Sequence, residues 1–243
     1  MPAGAIRVGI GGWDYDPWRE SFYPPGLPKS KQLEYAAARL GAIEINATYY
    51  KLQKPELFAR WRDAVPEGFR FAVKGSRFCT NRKVLAEGSE AVARFCGQGL
   101  AELGDRLGPI LWQFMATKRF DPDDFGAFLK LLPGEAGGVP LSHVVEPRHE
   151  SFRCAEFLDM ARAAGVAVAI ADSDDYPSIG APGGGLVYAR LQRSPYDEAA
   201  LDGWAAKAAA WAEQGETYLF FIAGAKETNP AAATALMEKL ERR

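Results

Sequence analysis

Nine side chains of the kinds that bind or transform small molecules fall at the ends of apolar runs. They are Trp13, Glu44, Asn46, Lys74, Gln113, Glu146, Arg148, Asp172 and Arg190. The densest stretch is Val144-Val145-Glu146-Pro147-Arg148-His149, an apolar start that ends in an acid, a base and an imidazole. Closing an apolar strand desolvates Glu146 and favours its neutral form, while Arg148 favours the charged one. That opposition brings a carboxyl toward the range useful for general acid–base catalysis. Lys74 ends another such run, where an amine can polarise a carbonyl or, as the less favoured route, form a Schiff base with it. Glu146 and Lys74 are therefore the candidate catalytic pair. Arg148 and Arg190 carry guanidinium forks that match a carboxylate or phosphate. Glu44 and Asn46 suit substrate hydroxyls, and Trp13, Gln113 and Asp172 complete the candidate substrate-binding set. A structural reading stands beside the catalytic one: the arginines neutralise Glu44 and Glu146, in a buried Glu–Lys–Arg network that only holds the mouth of the fold together.

These residues need elements that bring them to one place. Ile6–Ile10, Ala42–Asn46, Phe69–Lys74, Ile110–Gln113, Val144–Glu146, Val166–Ala171, Leu186–Leu191 and Thr217–Ala223 read as eight strands, and the candidate residues come from the ends of seven of them. Period-two alternation turns Ile43 and Ile45 one way and Glu44 and Asn46 the other; likewise Phe71 and Val73 oppose Ala72 and Lys74. Ala167, Ala169 and Ala171 point inward and leave room, and Asp172 has the wrong parity to point inward unless its strand bends. Helices are expected over Ser30–Leu40, Pro55–Ala64, Glu87–Leu103, Asp121–Leu132, from Glu150 or Ser151 to about Ala164, Asp197–Gln214, and after Asn229. Asp121-Pro122 is a cap followed by proline at the first helical position. The Gly183-Gly184-Gly185 run precedes a strand, at the rim opposite the charges, and reads as a turn and not as a phosphate cradle. Strands alternating with helices, with no linker or repeat, make one α/β domain over residues 1–243, a single (β/α)8 TIM barrel with its chemistry at the C-terminal rim.

Composition agrees. The 243 residues are 48% hydrophobic and 25% charged, enough to bury a sizeable core. The net charge of −2 gives no overall field toward nucleic acid or anionic membrane, though a local basic pocket remains compatible with it. Cys79, Cys96 and Cys154 are odd in number and form no CxxC, so free buried thiols in a reducing compartment are expected. The run Met1-Pro2-Ala3-Gly4-Ala5 lacks the features of an export signal, and no apolar stretch is long enough to span a bilayer. A cytoplasmic protein without membrane contact is expected.

Two cofactor classes fit poorly. Gly11-Gly12-Trp13-Asp14-Tyr15 puts Asp14 where a dinucleotide fingerprint needs its third glycine, and Pro17 follows in place of a helix. Of the two histidines, His143 and His149, only His149 stands at the rim, whereas zinc barrels gather several histidines and carboxylates there. Glu44, Glu146 and Asp172 have oxygens for a hard cation, but Lys74, Arg148 and Arg190 already supply positive charge. The expectation is no metal, no cofactor, and a small anionic or polyhydroxylated ligand.

The stretches GIGGWDY, FYPPGLP, EINATYY, FRFAVK, LWQ, VEPRHESF and YARL, taken together over nearly the whole chain, resemble the YecE-like family, domain of unknown function 72. The resemblance implies a TIM barrel and no established activity. It also exposes departures: Gly11 where members often carry serine, Asn81 where they carry histidine, and Phe114-Met115-Ala116 where prolines are common. Gln192-Arg193 replaces a His-Gly, and Ala223-Gly224 replaces paired asparagines. Two histidines expected of the family are thus missing, which weakens any histidine-based mechanism. Glu44, Asn46, Lys74, Gln113, Glu146, Arg148 and Arg190 are retained.

Three functions compete. The first is a cofactor-independent enzyme acting by general acid–base chemistry on a small polar, anionic, sugar-like or carbonyl metabolite. The second is a nucleic-acid-processing or nucleic-acid-binding protein using Arg77, Arg82, Lys83, Arg148, Arg190 and Arg193 with rim aromatics, marked by salt-dependent binding. The third is a non-catalytic binding barrel.

Overall fold

The computed structural model describes residues 4–183, 185–224 and 226–242; Met1, Pro2, Ala3, Ala225, Arg243 and Gly184, the middle of the run expected to form a turn, lie outside the described residues. The barrel strands are β1 (Ile6–Gly11), β2 (Ala42–Ile45), β3 (Arg70–Lys74), β4 (Leu107–Gln113), β5 (His143–Glu146), β6 in two pieces (Ala167–Val168 and Ile170–Asp172), β7 (Leu186–Leu191) and β8 (Glu216–Phe221). Every pairing among them is parallel, and β1 lies between β2 and β8. The first piece of β6 pairs with β5 and the second with β7, so the sheet closes on itself through that strand. Ala169 bridges the break and donates its N–H to the Val145 carbonyl at 2.9 Å.

The alternation expected of these strands sorts their side chains into two layers. Ile43, Ile45, Phe71 and Val73 pack outward under the helices, while Ala42, Ala72, Leu111, Val144 and Ala169 face the axis. The space left by the inward alanines is filled from β7 and β8. Tyr188 lies 5.1 Å from Phe220, and the rings of Tyr218 and Phe220 stack at 6.1 Å. Small residues on one wall and large ones on the other make a packed interior. Gly9 shows how close the fit is, since a Cβ there would stand 2.0 Å from the Ala42 carbonyl oxygen. Gly9→Ala is expected to cost about 1–3 kcal/mol in denaturant unfolding, the usual scale of overpacking. An unchanged midpoint would mean that β1 and β2 separate more easily than this contact implies.

Among the described residues, seven helices of eight residues or more cover the barrel: α1 (Lys29–Ala37), α2 (Pro55–Asp63), α3 (Ser89–Cys96), α4 (Pro122–Leu129), α5 (Ala155–Ala163), α6 (Glu198–Ala212) and α7 (Asn229–Glu241). Asp121 caps α4 as its sequence indicates, its Oδ1 accepting from the N–H groups of Asp123 and Asp124. Three expectations need correction. Pro28, not Ser30, stands at the N-cap of α1. The helix expected over Glu87–Leu103 is broken into a 3-10 turn (Leu85–Gly88), α3 and a second 3-10 stretch (Leu100–Arg106), because Gly99 takes a left-handed φ of 110°. The described residues between β6 and β7 form no helix, so strict alternation fails there. Pro177 and Pro182 each lack an N–H, and Gly180 brings the loop backbone against β6 where a Cβ would meet the Ala169 oxygen at 2.3 Å. No helix among the described residues is long and apolar enough to cross a membrane.

Candidate functional site

Parity and parallel register carry Glu44, Lys74, Gln113, Glu146 and Arg190 to the inner side of the C-terminal rim, from β2, β3, β4, β5 and β7. Glu44 is fully buried and Glu146 is 1% exposed, so each carboxylate needs donors. Arg190 supplies them to both. Its Nε and Nη2 donate to Glu44 Oε2 and Oε1 at 3.0 and 2.9 Å, and its Nη1 donates to Glu146 Oε2 at 2.6 Å. Tyr188 donates its hydroxyl to Glu44 Oε2 at 2.8 Å. Gln113 donates to Glu146 Oε2 at 2.8 Å, and Arg148 Nε donates to Oε1 at 3.2 Å with its guanidinium stacked 4.0 Å over Tyr176. The Arg190 fork is thus fully engaged with glutamates, whereas Arg148 meets them through Nε alone.

This wiring sets the protonation states. Burial pulls the Arg190 pKa down, but Glu146 and Glu44 outweigh it and hold the guanidinium firmly charged. Burial pushes Glu146 up, yet Arg190, Arg148 and Gln113 together hold its carboxyl below the usual carboxylate range. The sequence weighed burial against Arg148 alone and expected a balance; Arg190 is the group that tips it toward a fixed anion. Glu44 and Glu146 are then matched by Arg190 and Arg148, which leaves Lys74 without a required counter-charge. Burial, with Arg190 adding to it, pulls the Lys74 ammonium down to about 8, against the opposing pull of Glu44 and Glu146. Among the described residues, no carboxylate lies within ion-pair distance of Lys74 Nζ, which rests 4.6 Å from the Tyr49 ring centroid.

Lys74 opens into a cavity of about 530 Å³ at the rim, lined also by Trp13, Asn46, Tyr49, Arg190 and Lys226. Trp13 is held edge-on against Trp61, with ring centroids at 5.3 Å. Asn46 stands before the one-turn helix Ala47–Tyr50 and donates to the Glu44 carbonyl at 3.3 Å. Six of the nine candidate residues form one connected group: Glu44, Asn46, Gln113, Glu146, Arg148 and Arg190. Lys74 and Trp13 share the cavity with Asn46 and Arg190. Asp172 stands apart. The pairing of Ala171 with Arg190 leaves Asp172 on the outward parity, where it accepts from Tyr196 at 2.7 Å and pairs with Arg193 at 3.2 Å beside a second cavity.

Sequence reasoning missed Tyr49 and Trp61 in the cavity wall and the role of Tyr188 as a donor to Glu44. Tyr49 had a usable signal, since it follows the polar end of β2 by a single turn. Both histidines are taken up structurally: His143 Nδ1 accepts from Trp112 at 3.1 Å, and His149 Nδ1 accepts the Ser151 N–H as a cap. Among the described residues no three His, Cys, Asp or Glu side chains form a group able to hold a metal ion.

A closed parallel ring of strands with helices outside and polar side chains gathered at the strand C-termini defines a TIM-type α/β barrel with its candidate site at the mouth. The chain belongs to the family described as Protein of unknown function DUF72, whose model matches residues 7–243. It is 31% identical over 150 residues to UPF0759 protein YecE of Escherichia coli K12, a match covering 60% of this chain and 50% of that protein. The chain thus spans about half the length of that curated relative. UPF0759 protein YunF of Bacillus subtilis is 30% identical over 79 residues, 32% of this chain and 27% of its own. The crystal structure of a DUF72 family protein from Thermotoga maritima superposes with a TM-score of 0.79 at 22% identity, covering 98% of this chain and 99% of that one. At that identity the likeness concerns the fold.

Proposed function

We propose that this protein is an enzyme for a small carbonyl-bearing metabolite, hydroxylated or anionic, with the Lys74 amine as the reacting group and no tightly bound cofactor. The observation behind this reading is an amine that has no carboxylate within ion-pair distance among the described residues, lines a walled cavity and is flanked by a charge network that is already balanced. A protonated Lys74 polarises a carbonyl oxygen and returns a proton to it; unprotonated, it accepts one. Glu146 acts through Arg190 as a positioning residue, because its oxygens are engaged by Arg190, Arg148 and Gln113. Asn46 meets substrate hydroxyls, Trp13 offers an aromatic wall to C–H faces, and Lys226 draws an anionic group. A thermal-shift panel of hydroxyaldehydes, hydroxyketones, 2-oxo acids and sugar phosphates tests the reading. A compound present at about a hundred times its Kd is expected to add about 2.7 kcal/mol of stability. A panel in which nothing stabilises the protein, or in which Lys74→Met binds every hit unchanged, counts against it.

A second reading has one observation in its favour. Tyr50 and Phe78 are 61% and 58% exposed near the same mouth, and the Arg77 guanidinium lies 5.3 Å from the Phe78 ring. Exposed rings beside cations suit single-stranded nucleic acid. Binding of an oligonucleotide that weakens steeply with salt and is lost in a Tyr50→Ala, Phe78→Ala double variant would favour it.

A further inference from the structure

We propose that Lys74 forms a covalent imine with the aldehyde or ketone carbon of its substrate. This deepens the reading above and rests on it. The geometry favours addition over simple hydrogen bonding for three reasons. First, among the described residues Lys74 Nζ has no hydrogen-bond or ion-pair partner. Buried Lys118, by contrast, donates to the Lys83 carbonyl at 2.7 Å and is paired with Asp124, and Arg190 is clamped by two glutamates. Second, Glu44 and Glu146 are balanced by Arg190 and Arg148, so the network tolerates a neutral amine, the form whose lone pair attacks carbon. Third, the face of Tyr49 lies 4.6 Å from Nζ, and Asn81 holds that ring by donating to its hydroxyl at 3.1 Å. The iminium is a cation formed at the nitrogen that already sits over this face, so the ring stabilises the adduct as it stabilises the ammonium.

The step balances without an added oxidant or reductant. The Nζ lone pair forms the C–N bond while the carbonyl π pair moves to oxygen, and a proton passes from nitrogen to that oxygen to give the carbinolamine. One further proton lets the hydroxyl leave as water, and the nitrogen lone pair closes the C=N bond of the iminium. Water departs through the same mouth by which the substrate enters.

Reductive trapping tests this on the intact protein. Glycolaldehyde and dihydroxyacetone serve as probes near pH 8, where the Lys74 amine is about half unprotonated, with cyanoborohydride as the hydride donor. Peptide mapping is expected to find Lys74 labelled about tenfold faster than any exposed lysine, because an ordinary lysine amine is almost wholly protonated at that pH. Lys74→Met is expected to lose that label alone, and the mapping of the wild-type protein does not depend on the variant folding. If a probe stabilises the protein but Lys74 is labelled no faster than the other lysines, the imine is wrong while the binding reading stands. If the probes neither stabilise nor label Lys74, both fail.

Discussion

Arg190→Met is expected to destabilise the protein by about 3–5 kcal/mol at neutral pH, the largest effect of any substitution at the rim. Arg190 is 3% exposed and makes three hydrogen bonds to carboxylates that are themselves buried. Methionine fills much of the stem volume but leaves Glu44 with the Tyr188 hydroxyl, and Glu146 with Gln113 and Arg148. Two buried anions then share one guanidinium. The pH dependence separates this cause from a simple packing loss. In the wild-type protein the folded-state pKa of Glu146 is depressed, so its contribution is present above the unfolded value and is lost as pH falls through the folded one. In the variant the strongest depressing charge is gone and burial raises the Glu146 carboxyl, so folding takes up protons and the deficit shrinks on acidification. Denaturant unfolding at neutral and mildly acidic pH reads both. A deficit under 1 kcal/mol, or one independent of pH, would mean the network is not held together by Arg190.

Lys74→Met is expected to act in the opposite sense on stability and far more strongly on turnover. Its folded pKa of about 8 lies below the ordinary lysine value of 10.5, so the unfolded chain binds more protons between those pH values. Wild-type stability therefore rises with pH across that window and carries the full penalty of the desolvated ammonium below it. Methionine keeps the apolar stem and removes the charge, giving a gain on the order of 2 kcal/mol at neutral pH that disappears above the window. Once a turned-over carbonyl compound is in hand, the same variant is expected to lose roughly a hundredfold or more in kcat, as befits the group that handles the proton. A stable variant with undiminished kcat would make Lys74 a structural cation. A variant that is less stable at neutral pH would show that the ammonium supports the network and is not penalised by it.

Much of this arrangement was legible in the chain because strand parity is a local property. Ile43-Glu44-Ile45 and Phe71-Ala72-Val73-Lys74 each declare which side chains face the axis, and parallel register then lifts Glu44 and Lys74 to one rim. The outward turn of Asp172 follows from the same rule. Partnership was not legible. Glu44 and Arg190 are 146 positions apart, and only closure of the ring brings β2 and β7 face to face across the mouth. A reading of Val144–His149 sees Arg148 beside Glu146 but not Arg190, and so expects a poised acid where there is a fixed anion. Irregular backbone also escaped: the break in β6 at Ala169 and the helix-free loop after it depend on Gly180 lying against the strand, a contact that no periodicity encodes.

Lysine side-chain NMR, with Cε and Nζ labelled and the Lys74 signal assigned by its absence from Lys74→Met, tests most directly whether the rim presents a reactive amine. A midpoint near 8 for Lys74, well below the ordinary value of about 10.4 for a lysine side chain in a peptide, is the expected result. A Lys74 signal that titrates together with the exposed lysines would contradict the assignment of Lys74 as the reacting group and the imine chemistry built on it.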